Sequence, residues 1–539
     1  MSPIDRRRLL TGLIAAGGGI IAAPPSLALA LGEDKVRPRN LRENPVFLTT
    51  PFQLGVASGD PSADGFVLWT RLAPEPLAPG GGMPMVPVLV GWEVAADEAF
   101  RTIVAKGDAI AHPELGHSVH AEVGGLAPDR PYWYRFRCGS ERSFIGRSRT
   151  FPLPGARAAR ARFAVAGCQH YEEGHYTAWR HIAETPLDFV FHYGDYIYEG
   201  RDNGDTARLL NGRAINPIRR HFGQETYSLD DYRRRYALYK TDPDLQAAHA
   251  AAPWLVSFDD HEIDNNWAAD RDQDGTPPEI FRLRRAAALQ AYYEHMPLRR
   301  RSLPVNGHMQ MYRHARFGDL IDVHVLDTRQ YRSDQVGGDR DGVPVPEVFA
   351  QHRTMLGAEQ EKWLFDGLAR SDARWNLIAQ QVMLMAIGRR EAPGTADLAY
   401  PMDVWSGYRA PRQRLLRHIR ESKLTNVITI SGDAHRHYAG DLIPDDSDRP
   451  VASEYLATSV TSGGDGTDAE DALARSIRFG NNDFLKAMSD RRGYLLCDVD
   501  RERWRGELKV LSSVTDRFAT LGNHAVFVTE HGKIGLQAA

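Results

Sequence analysis

Four apolar runs in this chain end in residues able to bind a metal ion. Phe163-Ala-Val-Ala-Gly runs into Cys168-Gln169, and Leu187-Asp-Phe-Val-Phe-His-Tyr-Gly194 runs into Asp195-Tyr196-Ile197-Tyr198-Glu199. Trp254-Leu-Val-Ser-Phe258 leads to Asp259-Asp260-His261-Glu262-Ile263-Asp264-Asn265-Asn266, and Val427-Ile-Thr-Ile-Ser431 to Gly432-Asp433-Ala434-His435-Arg436-His437. A short apolar run bounded by turn signals reads as a buried strand, and an open α/β sheet binds ligands beyond the carboxyl ends of its strands. Each motif alone has a plainer reading: Cys168 as a small core residue, Gly194-Asp195 as a turn, the acidic run after Phe258 as a solvated loop. Together they reinforce one another, because one strand-end geometry explains all four. Carboxylates gathered in a dry site repel one another unless a multivalent cation offsets their charge.

Ligand softness bounds the cations. A Cys168 thiolate with a Tyr198 phenolate favours a softer or trivalent transition metal, iron first, whereas the oxygens of Asp260, Asp264 and Asn265 suit Ca, Mg or Mn. The expectation is a mixed site. Two cations about 4 Å apart can clamp the oxygens of a phosphate ester, activate water and stabilise the leaving oxygen, so phosphoester hydrolysis is the natural reaction. Arg329 offers a planar fork for a phosphate group; an ion pair with Asp327 or Asp334 is the alternative. His437 reads as a residue supporting a ligand rather than as one itself.

The elements that must carry these residues are legible as β/α alternation after Arg162. Strands are predicted at Phe163–Ala166, Leu187–His192, Trp254–Phe258, Leu320–Leu326, Trp375–Ala379 and Val427–Ser431, and helices at Leu229–Tyr239, Phe281–His295 and Leu356–Ala369. Met309 to Leu326 reads as a hairpin turning at Gly318-Asp319. Ahead of this unit, short alternating runs at Phe66–Arg71, Val88–Trp92, Val119–Val123 and Tyr132–Arg137 predict an all-β module of about 100 residues, the size of an immunoglobulin-type sandwich. Leu126-Ala-Pro-Asp-Arg-Pro-Tyr132 looks like its corner, with Tyr132 as the anchor. The Ala/Arg stretch Arg157–Arg162 is the connector.

The N-terminus has Arg6-Arg7-Arg8, an apolar stretch from Leu9 to Ala23, and Ala28-Leu29-Ala30, the pattern of an export signal with a small-x-small cleavage site. Its apolar run is shorter than the ~20 residues of a membrane-spanning helix, and Asp5-Arg6-Arg7-Arg8-Leu9-Leu10 resembles the twin-arginine signal used for folded cargo. The expected partners are that export machinery and a small phosphate ester; no transmembrane anchor remains after processing. The 539 residues carry a net charge of −4, and losing residues 1–30 makes it −6 over 509. With basic residues dispersed, no nucleic-acid-binding patch is expected. Cys138, Cys168 and Cys497 cannot all pair within one chain, so at least one is free or a ligand.

These motifs resemble the PhoD-like family of alkaline phosphatases and phosphodiesterases, in the metallophosphoesterase superfamily. The matching stretches are Gly55–Pro61 with Phe66–Arg71, Gly167-Cys168-Gln169, Gly194–Glu199, Asp259–Glu262 with Asn265-Asn266, Leu326–Tyr331 and Ser431–His435. The resemblance implies an α/β fold with a four-layer core, two facing β-sheets flanked by helices, preceded by an N-terminal immunoglobulin-like β-sandwich. It divides the chain into a signal (1–30), a linker (31–50), the sandwich (51–152), the catalytic unit (158–515) and a C-terminal strand or tail (516–539). It implies ferric iron and calcium, with Mn or Mg as substitutes at the hard site, and an exported, periplasmic or secreted alkaline phosphatase. The implied ligands are Cys168, Asp195 as the bridging carboxylate, Tyr198, Asp260, Asn265, Asp433 and His435; His261 would contact substrate or protonate the leaving oxygen. Asn265 and Asn266 could instead orient their loop. Gln380 or Gln381 lies where the superfamily often has a His. A phosphodiesterase or phospholipase D-like enzyme acting on lipid or cell-wall polymer is the close alternative. A binding protein with a degenerate site and an iron redox protein using Cys168 and Tyr198 are the rivals from other classes.

Overall fold

The structure is a computed structural model, and it describes residues 37–210 and 213–539. The expected signal at 1–30 and the first residues of the linker lie outside them. Two sheets face each other. One has seven strands in the order Arg313–Phe317, Ile321–Val325, Trp375–Ala379, Val427–Ser431, Ala452–Leu456, His437–Leu442 and Leu485–Ser489. The other has ten, in the order Gln537–Ala538, Leu521–Glu530, Arg503–Leu511, Gly493–Asp500, Arg160–Ala166, Phe189–His192, Trp254–Val256, Val56–Gly59, Phe66–Arg71 and Ser118–Val123.

Strand periodicity of two explains why the runs are apolar throughout. Phe189, Phe191, Leu255, Leu377, Ile428 and Ile430 fill the space between the sheets. Their neighbours point outward: Val190, Trp254 and Val256 pack with Trp179, Tyr236, Leu245 and Leu289 of the helices Thr177–Glu184, Leu229–Lys240, Pro243–Ala251 and Pro278–His295. On the far side, Ile378 and Val427 pack with Leu364, Leu368, Leu415 and Ile419 of Gly357–Arg370 and Arg409–Glu421. The result is the expected four-layer core. The hairpin is also found, Arg313–Phe317 pairing antiparallel with Ile321–Val325.

The N-terminal module is a sandwich with a shared wall. Strands Val88–Ala95, Ile103–Ala111, Pro131–Cys138, Glu141–Arg142 and Gly146–Arg149 form its own sheet. The facing layer is the end of the ten-stranded sheet, and Phe66, Leu68, Val90, Val94, Val119, Tyr134 and Phe136 share one core. Gly59 pairs in parallel with Trp254. The change in sequence texture near residue 152 therefore marks the path of the chain and not the limit of its hydrogen bonding. Strand Ile103–Ala111 escapes the alternation rule because Lys106, Gly107 and Asp108 interrupt it; Gly107 is needed there, since a Cβ would stand 2.5 Å from the Trp92 ring. In the tail, Leu521–Glu530 adds to the ten-stranded sheet.

The corner forms as expected: the Tyr132 hydroxyl donates to the Ala127 carbonyl at 3.0 Å. Tyr132→Phe removes this bond at a cost of about 1 kcal/mol. A lower denaturant midpoint with unchanged turnover is the expected outcome of equilibrium unfolding and activity assays.

Candidate metal centre

The four motifs meet where strands Arg160–Ala166, Phe189–His192 and Trp254–Val256 of one sheet and Val427–Ser431 of the other end. Cys168, Asp195, Asp433 and His435 all hold left-handed backbone, with φ of 50°, 55°, 69° and 54°. Such conformations cost of order 1–3 kcal/mol each in non-glycine residues and persist only when the surroundings over-determine them. Here they do. The Cys168 N–H donates to Gly194 O and the Gln169 N–H to Asp195 O, both at 3.1 Å, while the Ser462 hydroxyl donates to Cys168 O at 2.7 Å. Glu262 accepts from the N–H groups of Asp195 (3.1 Å), Tyr196 (2.6 Å) and Asp259 (2.8 Å). One buried carboxylate thus ties two ligand loops together.

Three clusters of donor atoms result, each within 4.8 Å: Cys168, Asp195 and His435; Asp195, Asp260 and His261; Asp259, Asp260 and Asp433. Asp195 links the first two and Asp260 the last two. The Tyr198 hydroxyl donates to Asp195 Oδ2 at 2.8 Å and lies 3.1 Å from His435 Nε2, so it joins the thiol end. The donor chemistry fits metal ions. Asp195 Oδ1 and Asp259 Oδ2 are buried without a hydrogen-bond partner, and buried polar atoms are normally satisfied. Burial, then the Asp195 and Asp433 carboxylates, push the Cys168 thiol well up; burial and Asp260 push Asp195 up, and burial and Asp259 push Asp433 up. A cation reverses each of these preferences.

One end of the site opens to solvent. The side chains of His261, Asp433 and His435 are about one-fifth exposed (18%, 20% and 23%), against 1% for Asp195 and 3% for Asp260. His261 Nδ1 lies 2.7 Å from Glu199 Oε2, and Glu199 Oε1 accepts from the Asn265 N–H. Burial opposes charge on His261, but Glu199, Asp260 and Asp195 raise its pKa well above the ordinary value. Asp260 is also opposed by burial, yet Arg329 and His261 hold it well below the carboxylate range.

Arg329 stands elsewhere than either sequence reading put it. It is wholly buried and pairs with Asp259 at 2.5 Å and Asp403 at 2.9 Å, with Asp433 and Asp260 at 3.6 and 3.7 Å from Nη2. Asp327 instead accepts from the Arg329 backbone N–H, and Asp334 faces Arg271. Asn265 donates from Nδ2 to Gln273 Oε1 at 2.7 Å and from its backbone N–H to Glu199 Oε1 at 2.9 Å. Asp264 pairs with Arg284 at 3.0 Å, and Asn266 donates its N–H to Asp260. His437 accepts the Thr458 N–H at Nδ1 and donates from Nε2 to the Lys509 carbonyl at 3.0 Å. Gln381 is occupied by Thr328, Ser257 and Leu326, and Gln380 by Trp405 Nε1. Cys138 and Cys497 are unpaired and buried in different cores. Sequence reasoning assigned no role to Glu199, Glu262, Asp403 or Ser462; the first two stood inside quoted motifs, whereas nothing in the sequence points to Asp403.

Residues 163–508 match the family described as PhoD-like phosphatase, and residues 39–152 match its N-terminal domain. The chain belongs to the PhoD-like phosphatase family. It is 44% identical to alkaline phosphatase D of Bacillus subtilis (strain 168) over 99% of this chain and 89% of that protein. A solved structure titled "Structure of PhoD" superposes with a TM-score of 0.86 at 45% identity, covering 92% of this chain and 93% of the other.

Two substitutions separate holding the site from binding substrate. Arg329→Gln strips a guanidinium that faces four carboxylates, and breaking a buried pair costs about 3–5 kcal/mol; thermal unfolding should show a large loss of stability, where a phosphate-binding role would show as a raised KM in a stable protein. Glu262→Gln should lower metal affinity about 10–100-fold, as is usual when a residue orienting ligands is lost, and metal analysis after dialysis reads this directly.

Proposed function

We propose that this PhoD-like phosphatase is an exported, metal-dependent phosphoesterase of the alkaline phosphatase type, with ferric iron at the thiol end and calcium at the carboxylate end. The observation that carries the reading is the run of three donor clusters joined by Asp195 and Asp260 with unpartnered carboxylate oxygens facing them. Cys168, Asp195, Tyr198 and His435 would hold the iron, since thiolate, phenolate and imidazole suit it. Asp259, Asp260 and Asp433 offer hard oxygens to calcium, with Mn or Mg as substitutes. Asn265 would add its carboxamide oxygen to the hard end, since it is Nδ2 that donates to Gln273 Oε1. The cations supply charge against the phosphate oxygens and lower the pKa of water.

The chain's own groups do the rest. His261 is clamped at Nδ1 by Glu199, which fixes its ring and leaves Nε2 to carry a proton to the leaving oxygen. Arg329 holds the carboxylates rather than the substrate. The exposed edge at His261, Asp433 and His435 is the side from which a phosphate ester enters. Export rests on the twin-arginine pattern at Asp5–Leu10; among the described residues no helix is long and apolar enough to cross a membrane.

Metal analysis of natively exported protein, with p-nitrophenyl phosphate and bis-p-nitrophenyl phosphate assays before and after chelation, tests the assignment. Free phosphate from the monoester, lost on chelation, is expected; activity confined to the diester would favour a phosphodiesterase. Cys168→Ala and Tyr198→Phe should lose iron and the visible phenolate-to-iron band, and retention of both iron and activity would refute the iron site.

A further inference from the structure

We propose a second metal site, for a zinc-class divalent ion, formed by His314, Asp322 and His324 on the hairpin Arg313–Val325. His314 sits directly opposite His324 in the antiparallel register. Asp322, two residues before His324, shares its face of the sheet. One donor atom from each lies within 4.8 Å of the others. This face is the outer one: Val323 and Val325 from the same strand point between the sheets, whereas His324 meets Trp363 of the helix Gly357–Arg370, with ring centroids 5.5 Å apart. The group therefore belongs to a different layer from the phosphatase centre.

Its parts are arranged as a ligand set. His324 is 1% exposed, and its Nδ1 is buried with no hydrogen-bond partner. The helix makes room for the ring at Gly367, where a Cβ would come within 2.5 Å of His324 Nε2. Asp322 turns Oδ1 toward His314 Nε2, while Oδ2 lies 3.5 Å from Arg316. Supporting bonds of this kind orient carboxylate ligands. The His314 side chain is 46% exposed, which gives an entry path and a position for water. Two imidazoles and one carboxylate suit zinc, cobalt, nickel or copper and not the hard calcium ion. Such an ion would pin the edge strand Arg313–Phe317, whose Arg313 pairs with Asp60 at 2.7 Å and donates to Val256 O at 2.8 Å, where the strand leading to Asp259 and Asp260 ends.

The test uses holoenzyme with its catalytic metals loaded, titrated with Co²⁺ alone. Wild type should take up one further Co²⁺ per chain with visible ligand-field absorption, and its unfolding temperature should rise. His314→Ala should lose both responses and keep its p-nitrophenyl phosphate turnover. His314→Gln serves if the alanine variant fails to fold, and Asp322→Asn should lose the uptake too. Equal Co²⁺ uptake by wild type and a folded His314 variant, or no further uptake by wild type, overturns the site; neither outcome bears on the phosphatase reading, because uptake is measured apart from turnover.

Discussion

Concentrated negative charge, held away from water, is the constraint to which the rest of this fold responds. Asp195, Asp259, Asp260 and Asp403 are buried and Asp433 lies at their rim, with two guanidinium groups among them, Arg329 against Asp259 and Asp403 and Arg332 against Asp403, and a thiol and a phenol at one end. Removing one ion from water costs several kcal/mol even after relaxation, so two arginines cannot balance five carboxylates. Multivalent cations can, and they account for the carboxylate oxygens left without partners. The same requirement explains the short loops, the left-handed ligand residues and the Glu262 clamp: ligands that repel one another stay converged only if the backbone beneath them cannot relax.

The architecture supplies that rigidity by segregating its chemistry. The strands that carry the four ligand motifs are apolar almost throughout, so the reactive groups of this site collect where those strands end. Two sheets end at the same place, and the site draws on both. Its exposure is graded, from the wholly buried Cys168 and Asp195 to His261, Asp433 and His435 at the rim. A substrate can approach the rim without hydrating the base.

The sequence made the core strands legible because burial on both faces leaves an unmistakable apolar run; Trp375–Ala379 and Val427–Ser431 were predicted to the residue. The ligand clusters were legible too, as each follows such a run. What stayed hidden was partnership. Arg329 was matched with acids near it in the chain, Asp327 and Asp334, but topology gave it Asp259 and Asp403, some seventy residues away in either direction. Glu199 and Glu262 are acids in an acidic motif, and only the folded loops show that one orients His261 and the other ties backbone amides. Asn265 has a use that its type does not announce, since its backbone N–H holds Glu199. The shared wall of the sandwich was invisible for a similar reason, since a parallel pairing between Gly59 and Trp254 leaves no local trace.

That shared wall also sets an order of assembly. Val56–Gly59 is made early, but one of its neighbours, Trp254–Val256, is nearly two hundred residues downstream. At the other end, Arg160–Ala166 gains Phe189–His192 on one side, but its other edge has no partner until Gly493–Asp500 leaves the ribosome. Pairings this distant in sequence form late and slowly. The loop bearing Cys168 therefore hangs from a strand with one bare edge for most of translation, and the metal ligands can converge only on a nearly finished chain.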